Sequence, residues 1–525
     1  MNKVQILDCT LRDGGYCNEW RFGFENVKRI ITGLVKANVE IIECGFITNR
    51  VKYDPEVTRY TLVEEIARVI PENREGKIFV AMMNYGEYNI DELPVYDGSS
   101  IDGIRVAFHK KNLTEALELC KAIKAKGYLV FVQAMVSLSY SDEEFLNLIR
   151  SVNEFEPYAF YIVDSFGMMK GKDLTRLFYM VEHNLKGNVW IGFHSHNNMQ
   201  LAYSNAQKLT TIQTSRNLII DSSIMGMGRG AGNLNTELFL EYLNENEEKK
   251  YQVKPLLTII DKTLTSFYEQ NYWGYSLPNY ISAAHNAHPN YAGYLDAKKT
   301  LTFEDMNNIF DMMDEDKKVS YDKDYIEKLY LKYQEKDSVQ EKHLTEFREI
   351  VFGKTILLIA PGPSSILEKH KITEFANQKD TIAISINYEY DEAITDYIFV
   401  SNLRRYRDIP ADKRKKCIVT SNISALDVYL QVWYKELLNK VEAVEDNACL
   451  MLIKFLINIG VKKIYLAGMD GYSMDFNENY ADEKMSILMG KEMVEKKNAG
   501  MISVLKTLNK EAEILFLTTP RYLMI

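Results

Sequence analysis

Residues 159–196 read AFYIVDSFGMMKGKDLTRLFYMVEHNLKGNVWIGFHSH. Ala159–Phe166 and Val189–His196 are short runs rich in β-branched and aromatic residues, and each ends on polar side chains. Between them Asp173–His183 reads as an amphipathic helix. A strand, a helix and a second strand in this spacing make a parallel pair with a crossover. The same theme repeats on both sides. Upstream runs are Val4–Cys9, Glu40–Phe46, Lys77–Met83, Ile101–Phe108 and Tyr128–Met135, and Leu218–Met225 follows. Helical patterns lie at Phe24–Ala37, Leu113–Lys126, Ser141–Asn153 and Leu201–Leu209. Eight such units in residues 1–245 predict a (β/α)₈ TIM barrel, with a doubly wound open sheet as the rival. Barrel topology puts the chemistry at the C-terminal ends of the strands.

Residues 246–345 change character. Strand runs stop, and Trp273–Tyr294 is rich in Tyr, Asn, His and Pro. Thr302 with Asp305 forms a capping-box pattern ahead of Met306, Ile309, Phe310 and Met313. Tyr325, Ile326, Leu329, Tyr330 and Tyr333 make a helical stripe. This is a predicted helical appendage, with Gln334–Lys354 as linker. Residues 354–525 return to α/β, with predicted strands Thr355–Ala360, Thr381–Ile386, Asp396–Ser401, Lys416–Ser421, Lys463–Gly468 and Ala512–Thr518, and a helix at Ala448–Ile459. A smaller Rossmann-like parallel domain is expected there.

Composition narrows the function. The 525 residues carry a formal net charge of -10, 46% are hydrophobic and 26% charged. An acidic globular chain of ordinary composition excludes disorder as its main state and makes nucleic acid a poor partner. No run of eighteen apolar residues is present, and the N-terminus has no apolar stretch ahead of its first charged motif, so neither a membrane span nor a signal peptide is expected. Six cysteines at irregular spacings, none in a CxxC pair, read as reduced thiols. A cytoplasmic protein, homo-oligomeric, is the expectation.

Polar groups stand just past several predicted strands. Arg12 and Asp13 follow the first, in Asp8-Cys9-Thr10-Leu11-Arg12-Asp13-Gly14-Gly15. Glu43 lies on the second, Asp164 and Ser165 end the sixth, and His194 and His196 end the seventh. Asn233 follows the eighth, in Gly226-Met227-Gly228-Arg229-Gly230-Ala231-Gly232-Asn233. Two histidines two apart on a strand point the same way. With Asp13 and Asn233 they make a mixed N/O donor set suited to an open divalent site, Mn²⁺ or Mg²⁺ before structural Zn²⁺. An isolated HxH or Arg-Asp pair is ordinarily just a surface or packing feature. Their joint placement at strand ends is the signal.

These motifs resemble the DRE-TIM metallolyases, the family of 3-hydroxy-3-methylglutaryl-CoA lyase, isopropylmalate synthase and 4-hydroxy-2-oxovalerate aldolase. Asp8–Gly14, His194–His196 and Gly226–Asn233 carry the resemblance over about residues 1–245, and Asp164-Ser165 and the appendage place it nearest the 4-hydroxy-2-oxovalerate aldolase branch. The resemblance implies that Asp13, His194 and His196 bind a divalent metal, with Asn233 as a further ligand. It implies that Arg12 stabilises an enolate, that Ser165 contacts a 2-oxo acid such as pyruvate, and that an aldehyde is the other reactant. The chain departs from the family where the pyruvate aldolases have a histidine, three residues after the ligand aspartate. Here that residue is Tyr16. With an unperturbed pKa of about 10, tyrosine is a poor base near neutrality, so Tyr16 reads as a proton donor or a pocket wall. His285 and His288 are alternative bases, although packing or turn roles fit them better.

In the last domain, Ile359-Ala360-Pro361-Gly362-Pro363-Ser364-Ser365 sits at a strand-to-helix turn, where backbone N–H groups can meet a phosphate. Ile384–Asn387 and Ile464–Gly471, which includes Asp470, end two further strands. Together they resemble the nucleotide-binding domain of family 42 sialyltransferases over about residues 354–475. The resemblance implies a nucleotide or nucleotide-sugar held near Gly362, Ser364, Asn387 and Asp470. It offers no match for that family's catalytic histidine, since His370 is the domain's single histidine. The basic cluster Arg404–Lys416 reads first as a solvated charge run. The leading expectation is a bifunctional enzyme, an aldolase barrel fused to a nucleotide-sugar domain in surface-carbohydrate synthesis. The alternatives are a glycosyltransferase with a degenerate barrel and a non-enzymatic sensor of a 2-oxo acid.

Overall fold

The structure is a computed structural model that describes residues 3–247, 249–334, 343–423, 425, 427–482, 485 and 489–521. Barrel strands β1 to β8 are Val4–Asp8, Ile41–Ile47, Ile78–Asn84, Gly103–Phe108, Leu129–Ala134, Ala159–Asp164, Trp190–Ser195 and Leu218–Ser222. Each pairs in parallel with its sequence neighbour, and β1 pairs with both β2 and β8, which closes the barrel. Closure removes the open-sheet alternative. A two-residue strand, Arg59–Tyr60, adds to the outer edge of β2.

Amphipathic helices Phe24–Lys36, Leu113–Ala125, Asp142–Phe155, Gly171–Asn184 and Ala202–Thr211 cover the outside. The start of Asp142–Phe155 is set by a capping box. Ser141 Oγ accepts the Glu144 N–H at 3.3 Å, and Glu144 Oε2 accepts the Ser141 N–H at 2.8 Å. The β3–β4 connection breaks the alternation, with only the 3₁₀ turn Ile90–Glu92. Pro94, with no N–H to donate, stands two residues beyond the turn and disfavours helix there.

Inward positions follow the two-residue period of the strands. Leu7, Ile41, Val80, Phe131, Tyr161 and Ile219 form an apolar plug inside the barrel. Gly192 on β7 makes room for it, because a Cβ there would lie 2.4 Å from the Tyr161 ring. Two residues further along the strands, five of the eight inward positions turn polar, Glu43, Arg105, Gln133, His194 and Asp221, while Cys9, Met82 and Val163 stay apolar. The change from apolar to charged marks the floor of the barrel mouth.

Packing divides the chain into two units, Met1–Gly293 with Met313–Tyr321, and Tyr294–Met312 with Asp322–Ile525. Thr302 caps Phe303–Asp311, its Oγ1 accepting the Asp305 N–H at 3.1 Å. The tyrosine-rich stripe forms helix Lys323–Tyr333. Of the expected linker, residues 335–342 lie outside the described residues, and Leu344–Val351 is helical.

The second unit holds a seven-stranded parallel sheet. Strands β9 to β15 are Thr355–Ile359, Thr381–Ile386, Tyr397–Val400, Cys417–Thr420, Leu430–Val432, Lys463–Ala467 and Glu513–Phe516. Their order is β13-β12-β11-β10-β9-β14-β15. The sequence reading anticipated six of them. The seventh, Leu430–Val432, is an edge strand of three residues, too short to show a pattern. The apolar helix Ala448–Asn458 lies between β13 and β14 in the chain and is buried along most of its length.

Candidate metal and catalytic site in the barrel mouth

One helical turn, Thr10–Asp13, follows β1 and carries Arg12 and Asp13 into the barrel mouth. His194 lies on β7 and His196 just beyond it, with their rings perpendicular and centroids 5.3 Å apart. Asn233 reaches the same place from the loop after β8, through an antiparallel bridge to His196. All four side chains are buried. Potential ligand atoms of Asp13, His194 and His196 lie within 4.8 Å of one another.

The donor set fits a divalent ion on three observations. His194 Nδ1 is 2.9 Å from Asp221 Oδ2, so its Nε2 is free of that bond. His196 Nδ1 is buried without a hydrogen-bond partner, 3.8 Å from Asp13 Oδ2. Asn233 donates through Nδ2 to Asp13 Oδ2 and to the Met227 carbonyl, leaving its Oδ1 buried and unpartnered. Unpaired buried lone pairs are costly unless a ligand meets them. Burial works against the Asp13 charge, yet Arg12, His196 and His194 outweigh it and hold its carboxyl well below the usual range. Burial pushes the His196 imidazole down to about 3, which leaves it neutral and able to ligate.

A chain of buried ion pairs lies beneath this set. Arg12 Nε donates to Glu43 Oε2 at 2.9 Å, and its Nη1 to Asp13 Oδ1 at 2.7 Å. Arg105 Nη1 donates to the same Glu43 oxygen at 2.8 Å, and its Nη2 pairs with Asp221 Oδ2. The order is therefore Asp13, Arg12, Glu43, Arg105, Asp221, His194. Glu43 lies beneath Arg12 and does not reach the cavity, so it holds Arg12 in place and makes no contact there.

The mouth encloses about 280 Å³. Arg12, Asp13, His194 and His196 line it together with Gln133, Ser165, Tyr16, Arg229, His109 and His288. Ser165 Oγ accepts the Val136 N–H at 2.9 Å, which leaves its own proton to donate. Gln133 Nε2 is buried with no partner. Asp164 is tied down, its carboxylate taking the Met168 and Met169 N–H groups at 3.0 Å each, so it shapes the loop that carries Ser165. Tyr16 stands at the rim, 45% exposed, edge-on to Trp20 and 5.5 Å beneath the Arg229 guanidinium.

His288 also lines the mouth and packs edge-on against Phe166, while His285 does not line it. His288 Nδ1 accepts the Asn290 N–H at 3.2 Å, so the ring proton sits on Nε2. Burial and the Arg229 charge push this imidazole down to about 3.

Sequence reading missed Arg105, Asp221, Gln133 and Arg229. The first two had a usable signal. Each is a lone charge inside an apolar parallel strand, where charge is tolerated only when paired.

The HMGL-like family model matches residues 3–261. A 4-hydroxy-2-oxovalerate aldolase of Geobacillus genomosp. 3 is 31% identical over 246 residues, 46% of this chain and 70% of that one. The chain belongs to the HMGL-like family. A second relative of this aldolase/lyase family, the 4-hydroxy-2-oxovalerate aldolase of Pseudoalteromonas translucida, is 27% identical over 46% of this chain and 70% of its own length. The crystallised N-terminal domain of a candidate aldolase from Bacteroides vulgatus is 30% identical, with a TM-score of 0.48 over 57% of this chain and 98% of that one. The HMGL-like match ends at residue 261, so the second sheet lies outside it.

The second sheet has a cavity of its own, of about 100 Å³, and Gly362, Asn387 and Asp470 line it. Ser364 does not. Its N–H donates to Asp470 Oδ2 at 2.7 Å and its hydroxyl pairs with the other carboxylate oxygen. The amide expected to meet a phosphate is therefore already satisfied by a carboxylate. Arg404 and Arg407 lie on the short helix Leu403–Asp408, and Lys413 is ion-paired with Glu392, so part of the basic cluster is a paired surface feature. Among the described residues, no helix is long and apolar enough to cross a membrane.

Proposed function

We propose that the barrel is a divalent-metal-dependent carbon–carbon lyase that forms or cleaves an aldol at a 2-oxo acid, with pyruvate and an aldehyde as the two halves. The observation that carries this reading is the Asp13–His194–His196 cluster at the barrel mouth with the Arg12 guanidinium bonded to Asp13. Family membership supports a lyase or aldolase, and the two relatives described act, by their names, on 4-hydroxy-2-oxovalerate.

Asp13, His194 and His196, with Asn233 Oδ1 beside them, would hold the ion, Mn²⁺ or Mg²⁺ by the hardness of the donors. Bound there, it supplies Lewis acidity to a chelating 2-oxo acid. The side chains do the rest. In cleavage, a base takes the proton of the 4-hydroxyl group. The C3–C4 bond breaks, its electron pair goes to C3 as the enolate of the 2-oxo acid, and the aldehyde leaves. A proton delivered to C3 completes pyruvate. Arg12 stabilises the negative charge on the enolate oxygen and is held in place by Glu43 and Asp13. Ser165 and Gln133 offer their free N–H and O–H groups to the substrate carboxylate. On the aldehyde side, Tyr16, His109 and His288 are among the lining groups able to exchange a proton or donate to the aldehyde oxygen. His288 suits donation, because its Nδ1 is taken and its Nε2 carries the proton.

For the second unit we propose a nucleotide or nucleotide-sugar ligand, and the complete polar set in the barrel favours a catalytic barrel over a degenerate one. The direct test is incubation with 4-hydroxy-2-oxovalerate and detection of pyruvate with lactate dehydrogenase. Pyruvate release with Mn²⁺ that stops on chelation supports the reading. No release with any divalent ion, from this or longer 4-hydroxy-2-oxo acids, contradicts it.

A further inference from the structure

One charged group in the barrel mouth stands outside its ion pairs. Arg12 is held by Glu43 and Asp13. Glu87 also lines the mouth, and both its carboxylate oxygens are taken, one by Arg50 at 3.3 Å and the other by the Asn84 amide at 3.2 Å. Arg229, on the loop after β8, has no such partner. Its Nη2 donates to the Ser165 carbonyl at 3.2 Å, and among the described residues no carboxylate pairs with it. Arg229 is half-buried. A guanidinium partly withdrawn from water and left unpaired favours an anion within its reach.

Its place is at the rim. The guanidinium lies 5.5 Å from the ring centroid of Tyr16, which is itself 45% exposed, whereas Asp13, His194 and His196 are buried. After burial, the Arg229 charge depresses the imidazole of His288 and, behind Lys111, that of His109. Both rings are therefore neutral near pH 7 and add no charge of their own. A second arginine stands close by. Arg59 stacks 3.6 Å from the Trp20 ring centroid, and Trp20 meets Tyr16 edge-on at 4.7 Å. Among the described residues Arg59 makes no ion pair either. Tyr16, His109 and His288 are groups of the aldehyde side, so the unpaired charge lies where the aldehyde's far end would project.

We infer that the aldehyde half of the reaction carries an anionic group, a carboxylate or a phosphate, and that Arg229 binds it at the rim of the mouth. The inference rests on the aldolase reading above. A guanidinium keeps its charge at any working pH and offers paired N–H groups that match the oxygens of either anion. In the addition direction pyruvate loses a methyl proton to a base, its C3 bonds to the aldehyde carbon, and the carbonyl electron pair moves to the aldehyde oxygen, which takes a proton. The anionic group is unchanged throughout, so Arg229 selects the substrate and takes no part in the bond making.

The test is aldol addition by the full chain with Mn²⁺ and pyruvate, product being followed by NMR. Aldehydes are offered in pairs, succinic semialdehyde against butanal and glyceraldehyde 3-phosphate against glyceraldehyde. The anionic member of one pair is expected to have a kcat/KM at least about tenfold higher, the scale of a hydrogen bond to a charged group, and the pair that responds separates carboxylate from phosphate. Arg229→Gln should cut that ratio about tenfold, chiefly through the aldehyde KM, and Arg229→Lys should restore part of it. Equal kcat/KM within both pairs, or preference for the neutral members, overturns the inference. So does an Arg229→Gln that raises KM for pyruvate and leaves the aldehyde ratio unchanged, which would place the guanidinium on the 2-oxo acid. Deuterium exchange into pyruvate without aldehyde reports the enolate step by itself. Exchange with no anionic preference overturns this inference alone, whereas neither exchange nor product overturns the aldolase reading and this inference with it.

Discussion

Asp221 Oδ2 lies 2.9 Å from His194 Nδ1, with Arg105 paired to the same carboxylate. Burial opposes charge on Asp221, but Arg105 and His194 outweigh it and hold the carboxyl below its usual range. The anion accepts the Nδ1 proton, so the His194 Nε2 lone pair is left for a metal. Asp221→Asn can turn its amide N–H toward Nδ1 and shift the ring proton to Nε2, where it blocks ligation. Mn²⁺ affinity is expected to fall about 10–100-fold by calorimetry, with the fold unchanged by circular dichroism. Unchanged affinity would show that the tautomer is set elsewhere.

Gly228 is fixed by close approach. A Cβ there would lie 2.2 Å from Asn233 Nδ2 and 2.8 Å from Asp13 Oδ2. Gly228→Ala therefore displaces two members of the donor set at once. Mn²⁺ binding should drop at least about tenfold, a loss comparable to that from removing a metal-orienting partner. Wild-type affinity in this variant would mean that the loop relaxes without moving Asp13.

Gln133 lines the cavity, and its Nε2 is a buried donor with no partner. If it meets the substrate carboxylate, Gln133→Met removes that bond and keeps the volume. KM for the 2-oxo acid should rise about tenfold, with a smaller change in kcat. A loss in kcat alone would place Gln133 at the reacting atoms instead.

The fold was legible because each barrel strand is a short apolar run bounded by turns, and five of the seven connections carry a helical pattern that enforces a crossover. The β3–β4 crossover and the strands Arg59–Tyr60 and Leu430–Val432 were not, because two or three residues carry no period. In the site, Asp13, His194, His196 and Asn233 were visible as polar groups at strand ends. Arg105 and Asp221 were hidden within strands, where only three-dimensional pairing gives a lone charge its meaning. Ser364 shows the reverse limit. A strand-to-helix turn suggests an open amide, and only the distant Asp470 shows that it is occupied.

Asp8 predicts a pH dependence of stability. Burial pushes its carboxyl up to about 6, against bonds from Thr236 and Thr10. The unfolded chain loses this proton near pH 4 and the folded chain near 6, so between those values the folded state binds more protons and stability falls as pH rises. The contribution is present below about pH 4 and lost above about pH 6, roughly 2–3 kcal/mol in all. Asp8→Asn removes that component. The melting-temperature difference between wild type and variant should shift in the variant's favour from pH 4 to pH 7. A difference independent of pH would contradict the elevated pKa.

Deuterium exchange into the methyl group of pyruvate, followed by NMR in D₂O, tests the enolate chemistry most directly, because it needs no knowledge of the aldehyde. Exchange is expected with Mn²⁺, lost on chelation, and at least about a hundredfold slower in Asp13→Ala and Arg12→Ala, the scale of removing a charge-stabilising donor. Exchange that persists in Asp13→Ala, or that proceeds equally without any divalent ion, would contradict metal-dependent enolate chemistry in this barrel.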